Sequence, residues 1–215
     1  METLLAELPS GSRIAVIRLR SLGDCVLTTP ALALLKEYRP DLRVGVVVEE
    51  RFAAVFEGNP DVDEILPPRA GAAIRFRPRL AINLHGGTRS MGLMIASGAP
   101  LRAGFGHHSF SFCYSSKIPR AQEILGVDRR VHTAEHLASA MFWLGVPRTG
   151  IPRAKLAAAA PSATSSGYAV IHPFATRPDK VWPAGSFLTV AGHLREHAGL
   201  EPVILAGPGD DPAPF

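Results

Sequence analysis

An α/β fold built on open parallel sheets is predicted for this 215-residue chain, on three observations. Short apolar, β-branched runs recur and read as buried strands. Most are followed by segments of good helix formers, the strand–helix rhythm of a parallel sheet with crossovers. An Ala-, Ser- and Pro-rich stretch at 152–167 divides two such series, as interdomain linkers do. The expected organisation is a first domain over 1–155, a linker over 156–167 and the start of a second domain over 168–215.

The elements follow in order. Residues 1–11 read as a loose arm or a short helix ending at Pro9, because proline breaks a helix interior. The run Ile14-Ala15-Val16-Ile17 is the first strand, and 31–38 a helix that stops near Pro40, since the residue before proline is pushed out of helical conformation. Residues 42–48 form a second buried strand, 49–56 a short helix, Gly58-Asn59-Pro60 a turn and 62–66 a third strand. The next strand, 79–85, runs into a polar turn at 86–90, with Thr88 as N-cap of a helix through Ala96 that Gly98 ends. Residues 101–105 make a short strand and 106–114 a loop. Thr133 opens an amphipathic helix bearing His136, Leu137, Ala140, Met141 and Leu144, stopped by Gly145 and Pro147. In the second series, 168–171 is a strand, 172–183 a long polar turn, 184–197 a helix with Pro183 near its first turn, and 203–206 a strand. Two strands and one helix cannot readily cover both faces of a parallel sheet. The second domain is therefore expected to be a fragment, or to have its open face covered by something else.

Composition narrows the function. The chain is 47% apolar and 20% charged, a globular balance. No apolar run reaches the roughly 20 residues of a membrane span, and the acidic start does not read as a secretory signal. A cytoplasmic location is expected. Cys25 and Cys113 lack metal-ligand spacing and do not form a disulfide framework; each reads as a small buried residue or a free thiol. The net charge of +4 suits a phosphorylated ligand or an anionic membrane face as well as nothing in particular. A dense basic stripe with interleaved aromatics, the mark of nucleic-acid binding, is missing. So are the glycine-rich dinucleotide fingerprint and the P-loop.

The turn after the first strand carries Gly23 and a lone acid, Asp24. Ligands of open α/β sheets bind at the carboxyl ends of strands, where such turns lie. A carboxylate there could act as a general base; it could equally cap the following helix. In the second series Lys180 sits between a strand and a helix beside Thr176 and Arg177, a ready anion site, or else a solvated surface lysine. Trp182 reads as a packing anchor. Gly207-Pro208-Gly209 could let a ligand approach the backbone, or be an ordinary turn. His107 and His108 are adjacent, and His132 and His136 are one helical turn apart; neither pair has the partners of a metal site.

Four stretches together resemble glycosyltransferase family nine, the heptosyltransferases of bacterial lipopolysaccharide synthesis. They are 18–30 with Gly23-Asp24 and Thr29-Pro30, the run 59–65, the run 83–105 with Arg89-Ser90 and Arg102-Ala103-Gly104-Phe105, and 172–183 with His172-Pro173 and Lys180-Val181-Trp182-Pro183. The resemblance implies the GT-B arrangement: a Rossmann-like N-terminal domain that binds the acceptor and a second Rossmann-like domain, incomplete here, that binds the nucleotide-sugar donor. It implies that Asp24 is the general base of an inverting transfer. Thr176, Lys180 and Asp210 fall at donor positions, Asp210 where the family usually has Glu. Arg18, Arg20, Ser21, Gly23 and Arg89 fall on the acceptor side. The implied donor is ADP-heptose with no metal cofactor, and the implied acceptor an anionic saccharide or lipid-linked molecule met at the cytoplasmic face of the inner membrane. The family's later donor motif has no counterpart before Phe215, so the resemblance covers about two thirds of such an enzyme and leaves open a non-catalytic acceptor-binding module.

Overall fold

A computed structural model describes residues 3–157, 167–175 and 178–215. The chain divides into two compact units, Met1–Ala158 and Ala159–Phe215. The first unit holds six parallel strands: β1 (Arg13–Ile17), β2 (Arg43–Val47), β3 (Glu64–Leu66), β4 (Leu80–Asn83), β5 (Leu101–Phe105) and β6 (Ser116–Ile118). Their spatial order is β3-β2-β1-β4-β5-β6. The chain thus moves outward one way from β1, then returns to its other side at β4, and the strand ends diverge at that reversal.

Helices α1 (Leu22–Val26), α2 (Thr29–Tyr38), α3 (Ala70–Phe76), α4 (Thr88–Ala96), α5 (Ala121–Leu125) and α6 (Thr133–Trp143) connect the strands. Strand parity distributes the core. Ile14, Val16, Val44, Val46, Leu80 and Ile82 face the layer containing Leu32, Leu35, Leu137 and Met141. Ala15, Ile17, Val47 and Ala81 face Phe76, Met91 and Met94. Both faces are buried, which explains why these strands read as continuous apolar runs.

Local chemistry sets most boundaries. Pro30 lies in the first turn of α2, where its missing N–H is not needed, and the helix ends just before Pro40. Several expectations need correction. The segment before β1 is no loose arm: Leu5 and Leu8 are buried, the Leu5 N–H donates to the Leu144 carbonyl at 3.0 Å, and the Arg39 guanidinium binds the carbonyls of Leu5 and Leu8. Two buried leucines contribute about 1.5–3 kcal/mol each, enough to seat a short arm without regular structure. The turn after β1 contains a separate short helix, α1. The N-cap of α4 is Gly87, and Thr88 is its first helical residue. Helices α3 and α5 and strand β6 went unpredicted; at three to seven residues they are too short to show a period.

The second unit contains β7 (Tyr168–Ile171), α7 (Ala184–Ala198) and β8 (Glu201–Ile204). The two strands pair in parallel, Val170 opposite Val203 and Ile171 opposite Ile204. Strand β8 begins two residues earlier than expected. Gly199 closes α7 in the left-handed conformation at φ 64°, the glycine C-cap geometry. Tyr168, Val170, Val203 and Leu205 are exposed; they alternate along both strands and mark one face of this sheet as bare. Residues 152–157 of the Pro-rich stretch are described, and within the first unit Lys155 donates its N–H to Thr29 Oγ1 and its ammonium to Asp61 Oδ2.

Candidate active site at the carboxyl edge of the first sheet

The reversal between β1 and β4 is a topological switch point, where open α/β sheets form a ligand crevice at the carboxyl ends of the strands. Arg18, the residue after β1, crosses its floor. It is 6% exposed, and its Nη1 donates to the Leu84 carbonyl beyond β4 at 2.7 Å. Its Nη2 lies 3.4 Å from Asp24 Oδ1. Burial pulls the Arg18 guanidinium below arginine's usual value, and Asp24 opposes that pull. Arginine nevertheless keeps its charge, so a fixed cation lies under one side of the Asp24 carboxylate.

Asp24 itself is in the first turn of α1. The Ser21 hydroxyl donates to Oδ2 at 3.3 Å, and Thr28 Oγ1 donates to the Asp24 carbonyl at 2.8 Å. The Asp24 side chain is 43% exposed against 8% for Arg18. It does not cap α2, whose N-cap is Thr28. The carboxylate is anchored from below and open above, and a methyl built on Gly23 would meet nothing within 4 Å. A base that must reach a substrate hydroxyl needs this combination of position and access.

Further charged residues follow from the ends of β1, β2 and the start of α4. Glu49, after β2, donates its N–H to the Leu19 carbonyl and holds Arg89 at 2.9 Å and Arg51 at 3.0 Å. Arg89 is thereby directed from the first turn of α4, with 61% of its side chain exposed. Arg20, Ser21 and Gly23 are also exposed. Arg18 is the exception among the expected acceptor residues, because its donors are committed inside the chain.

The floor is braced by a chain of hydrogen bonds that no sequence motif marked. Asn83 Oδ1 accepts the N–H groups of His85 and Gly86 at 3.1 Å each. Its Nδ2 then donates to the Tyr114 hydroxyl at 3.2 Å, which leaves that hydroxyl to donate to His108 Nδ1 at 3.0 Å. Gly104 permits the arrangement: a Cβ there would lie 2.3 Å from the Tyr114 ring. Gly86, at φ 67°, would press a Cβ onto the His108 ring at 2.6 Å. His85 Nδ1 is buried without a partner. Burial, then Arg18 and Arg20, pulls its ring below the usual histidine range.

Beyond β5 and β6 the same edge carries an open cavity of about 320 Å³ lined by His107, Arg120, Gln122, Arg130, Thr133 and His136. His136 stacks on Phe105, centroids 3.9 Å apart and planes at 17°. His132, by contrast, caps α6: its Nδ1 accepts the Ala134 N–H and its own N–H donates to Glu135. Among the described residues, no cluster of three or more His, Cys, Asp or Glu side chains could hold a metal ion. Cys25 is buried, and burial pushes its thiol up to about 11, so it is not a nucleophile at neutral pH.

The histidines give the fold an acid limit. Burial pulls His108 and His136 down to about 4 from an ordinary value near 6.5. Between those values the unfolded chain binds protons that the folded chain refuses, so stability falls as pH drops from about 6.5 towards 4. The thermal midpoint is expected to decline across this window, and His136→Phe, which preserves the stack on Phe105, should flatten the decline. Thermal melts at pH 7.5, 6 and 5 measure both; an equal slope in the variant would remove His136 from the effect.

In the second unit, Lys180 is exposed at the end of a 3-10 turn, Pro178–Lys180. The Asp210 carboxylate accepts the Gly207 N–H at 2.7 Å, tightening the turn after β8. Trp182 packs edge-on against Phe187, centroids 5.2 Å apart, while remaining 50% exposed. Thr176 and Arg177 lie outside the described residues.

A sequence model for glycosyltransferase family 9 (heptosyltransferase) matches residues 77–213, well over half of the chain. The chain belongs to glycosyltransferase family 9. Its relatives agree. A lipopolysaccharide heptosyltransferase 1 of Campylobacter coli is 30% identical over 53 residues, 25% of this chain and 16% of that protein. The solved family 9 glycosyl transferase of Veillonella parvula superposes with a TM-score of 0.76 at 23% identity, covering 94% of this chain and 64% of that one. Escherichia coli heptosyltransferase WaaC, solved with ADP, superposes at 0.69 and 20% identity, over 91% of this chain and 67% of that one. The family 9 chain described here therefore has the GT-B type fold of its neighbours and spans about two thirds of their length. No described helix is long and apolar enough to cross a membrane.

Proposed function

We propose that this family 9 chain takes part in inverting transfer of a heptose, or a related sugar, from a nucleotide-sugar donor to an anionic saccharide acceptor. The observation that carries the reading is the half-exposed Asp24 carboxylate, braced by Arg18 and Ser21 at the sheet's reversal point. The acceptor hydroxyl attacks the anomeric carbon, the bond from that carbon to the diphosphate oxygen breaks, and Asp24 receives the hydroxyl proton. Charge gathers on the departing nucleoside diphosphate. Lys180, with Thr176, is assigned to meet it, and Asp210 to the nucleoside side. Arg20, Ser21, Gly23 and Arg89 line the acceptor approach, whereas Arg18 acts as a positioning residue through Asp24. Arg120 and Arg130 around their shared cavity favour an anionic acceptor. Relatives named as a lipopolysaccharide heptosyltransferase and as a heptosyltransferase solved with ADP support ADP-heptose as the donor and part of lipopolysaccharide as the acceptor; an encounter at the cytoplasmic face of the inner membrane rests on the family resemblance alone.

One experiment separates the donor assignment from the fold. ADP titrated calorimetrically into the chain is expected to bind, and Lys180→Ala to weaken it about tenfold, the loss of one charge-assisted contact. Undiminished binding by the variant would remove Lys180 from the donor site. A second reading is an acceptor-binding module that lacks transferase activity. That reading expects no ADP binding at all.

A further inference from the structure

The opposite, amino-terminal edge of the six-stranded sheet carries a separate cavity of about 250 Å³. Strand parity builds it. Arg13 opens β1 and Arg43 opens β2, and the two are paired in register. Counting by twos along β1 from Ala15 and Ile17, which pack against the α3 and α4 layer, places Arg13 on the α3 side; the same count from Val47 places Arg43 there. Arg75, in the last turn of α3, completes a trio around the cavity, with Phe76 and Leu66 as its apolar wall and Glu64 as its one acid.

Arg13 of this trio is held by hydrogen bonding to backbone and, among the described residues, not by an ion pair. Arg13 Nη1 donates to the Phe76 carbonyl at 3.2 Å, which fixes that guanidinium at the cavity wall. Among the described residues, Arg13, Arg43 and Arg75 form no salt bridge, whereas Lys36, Arg39, Arg89 and Arg129 elsewhere in this unit do. Exposed Arg77 and Arg79 follow directly in the chain, and the Arg79 N–H donates to the Arg13 carbonyl, so the next strand position along this edge is basic too. Asp63, engaged by Lys36 and the Val44 N–H, attracts Arg43 from outside the lining; within the lining three cations share one carboxylate and repel one another, and an anion between them would relieve that repulsion. Guanidinium forks match phosphate oxygens in geometry as well as charge.

We propose that this cavity binds a phosphate-bearing anion. Strand β1, at about 3.3 Å per residue, sets it roughly 15 Å from the Asp24 crevice, too far to serve the transferring groups. It is a second site with its own ligand. That ligand's phosphate is carried either by a small soluble compound or by a lipid headgroup.

The test compares the chain with Arg43→Gln/Arg75→Gln and with a charge-matched control, Arg148→Gln/Arg153→Gln, on two probes. Inorganic phosphate is titrated calorimetrically. Vesicles of phosphatidylcholine, with and without one third phosphatidylglycerol, are tested by co-sedimentation at physiological salt. The pocket pair is expected to weaken binding at least tenfold on one probe or both, and the control pair less than twofold. Loss on phosphate alone assigns a soluble phosphate compound, loss on the anionic vesicles alone assigns a lipid headgroup, and loss on both assigns the phosphate group in either setting. Binding of neither probe, or equal weakening by the two pairs, overturns the proposal. Neither probe measures sugar transfer or ADP binding, so the outcome is independent of the donor and acceptor assignments.

Discussion

Asp24→Asn is expected to lower the turnover of sugar transfer at least 100-fold, about 2.7 kcal/mol of barrier, while leaving the folded structure and ADP affinity unchanged. The substitution keeps size and shape. Asn still offers an oxygen to the Ser21 hydroxyl, 3.3 Å away in the parent, but it cannot take the proton that leaves the acceptor oxygen. The fold should tolerate the change because the carboxylate is 43% exposed, and partly solvated ion pairs contribute little, on the order of 1 kcal/mol or less. Single-turnover transfer from ADP-heptose, with circular dichroism and ADP calorimetry alongside, measures all three quantities. Near-parental turnover in a folded variant would take Asp24 out of the chemistry. Lost ADP affinity together with lost turnover would show damage wider than one proton acceptor.

Arg18→Met is expected to cost about 2–3 kcal/mol of stability, lowering the thermal midpoint by roughly 4–12 °C for a chain of this size. It should reduce transfer as well. Methionine fills much of the aliphatic stem but gives the Leu84 carbonyl no donor, and that carbonyl now receives a 2.7 Å bond in a buried setting. An unpaired buried acceptor bears its desolvation cost in full. The same change removes the cation beneath Asp24, so the carboxylate loses its tether on the Arg18 side. Arg18→Lys separates the two roles. It returns the charge but cannot reach Leu84 and Asp24 with a planar fork, so it should recover more activity than stability. Equal melting of Arg18→Met and the parent would show that the bond across β1 and β4 is not structural.

Much of the first sheet was legible because its signal is local. Residues 14–17 and 42–48 hold enough Val and Ile to be strands wherever they sit, and Pro40 and Gly98 end helices by backbone geometry alone. Asp24 stood out as the one acid in a polar turn after a buried strand. What stayed hidden has the opposite character. Nothing near Arg18 in sequence says that it will bond the carbonyl of Leu84, 66 residues away. Arg18, expected on the acceptor side, is buried and directs its guanidinium to the Leu84 carbonyl and to Asp24. Asn83, Tyr114 and His108 come from different strands and loops, and only strand order makes them one chain of hydrogen bonds. Leu5 and Leu8 looked like part of a loose arm because their partners lie beyond position 30.

Side-chain period, turn chemistry and proline placement, all acting over a few residues, were sufficient for the α/β class and the longer strands and helices, and they marked Asp24 as a candidate that a helix cap could equally have explained. The reversal of strand order at β1 and β4 was what opened the crevice, buried Arg18, left Asp24 half in water and gathered arginines from β1, β2 and α3 at the far edge. Those outcomes depend on which strands become neighbours, a matter of long-range packing that no short window of residues encodes.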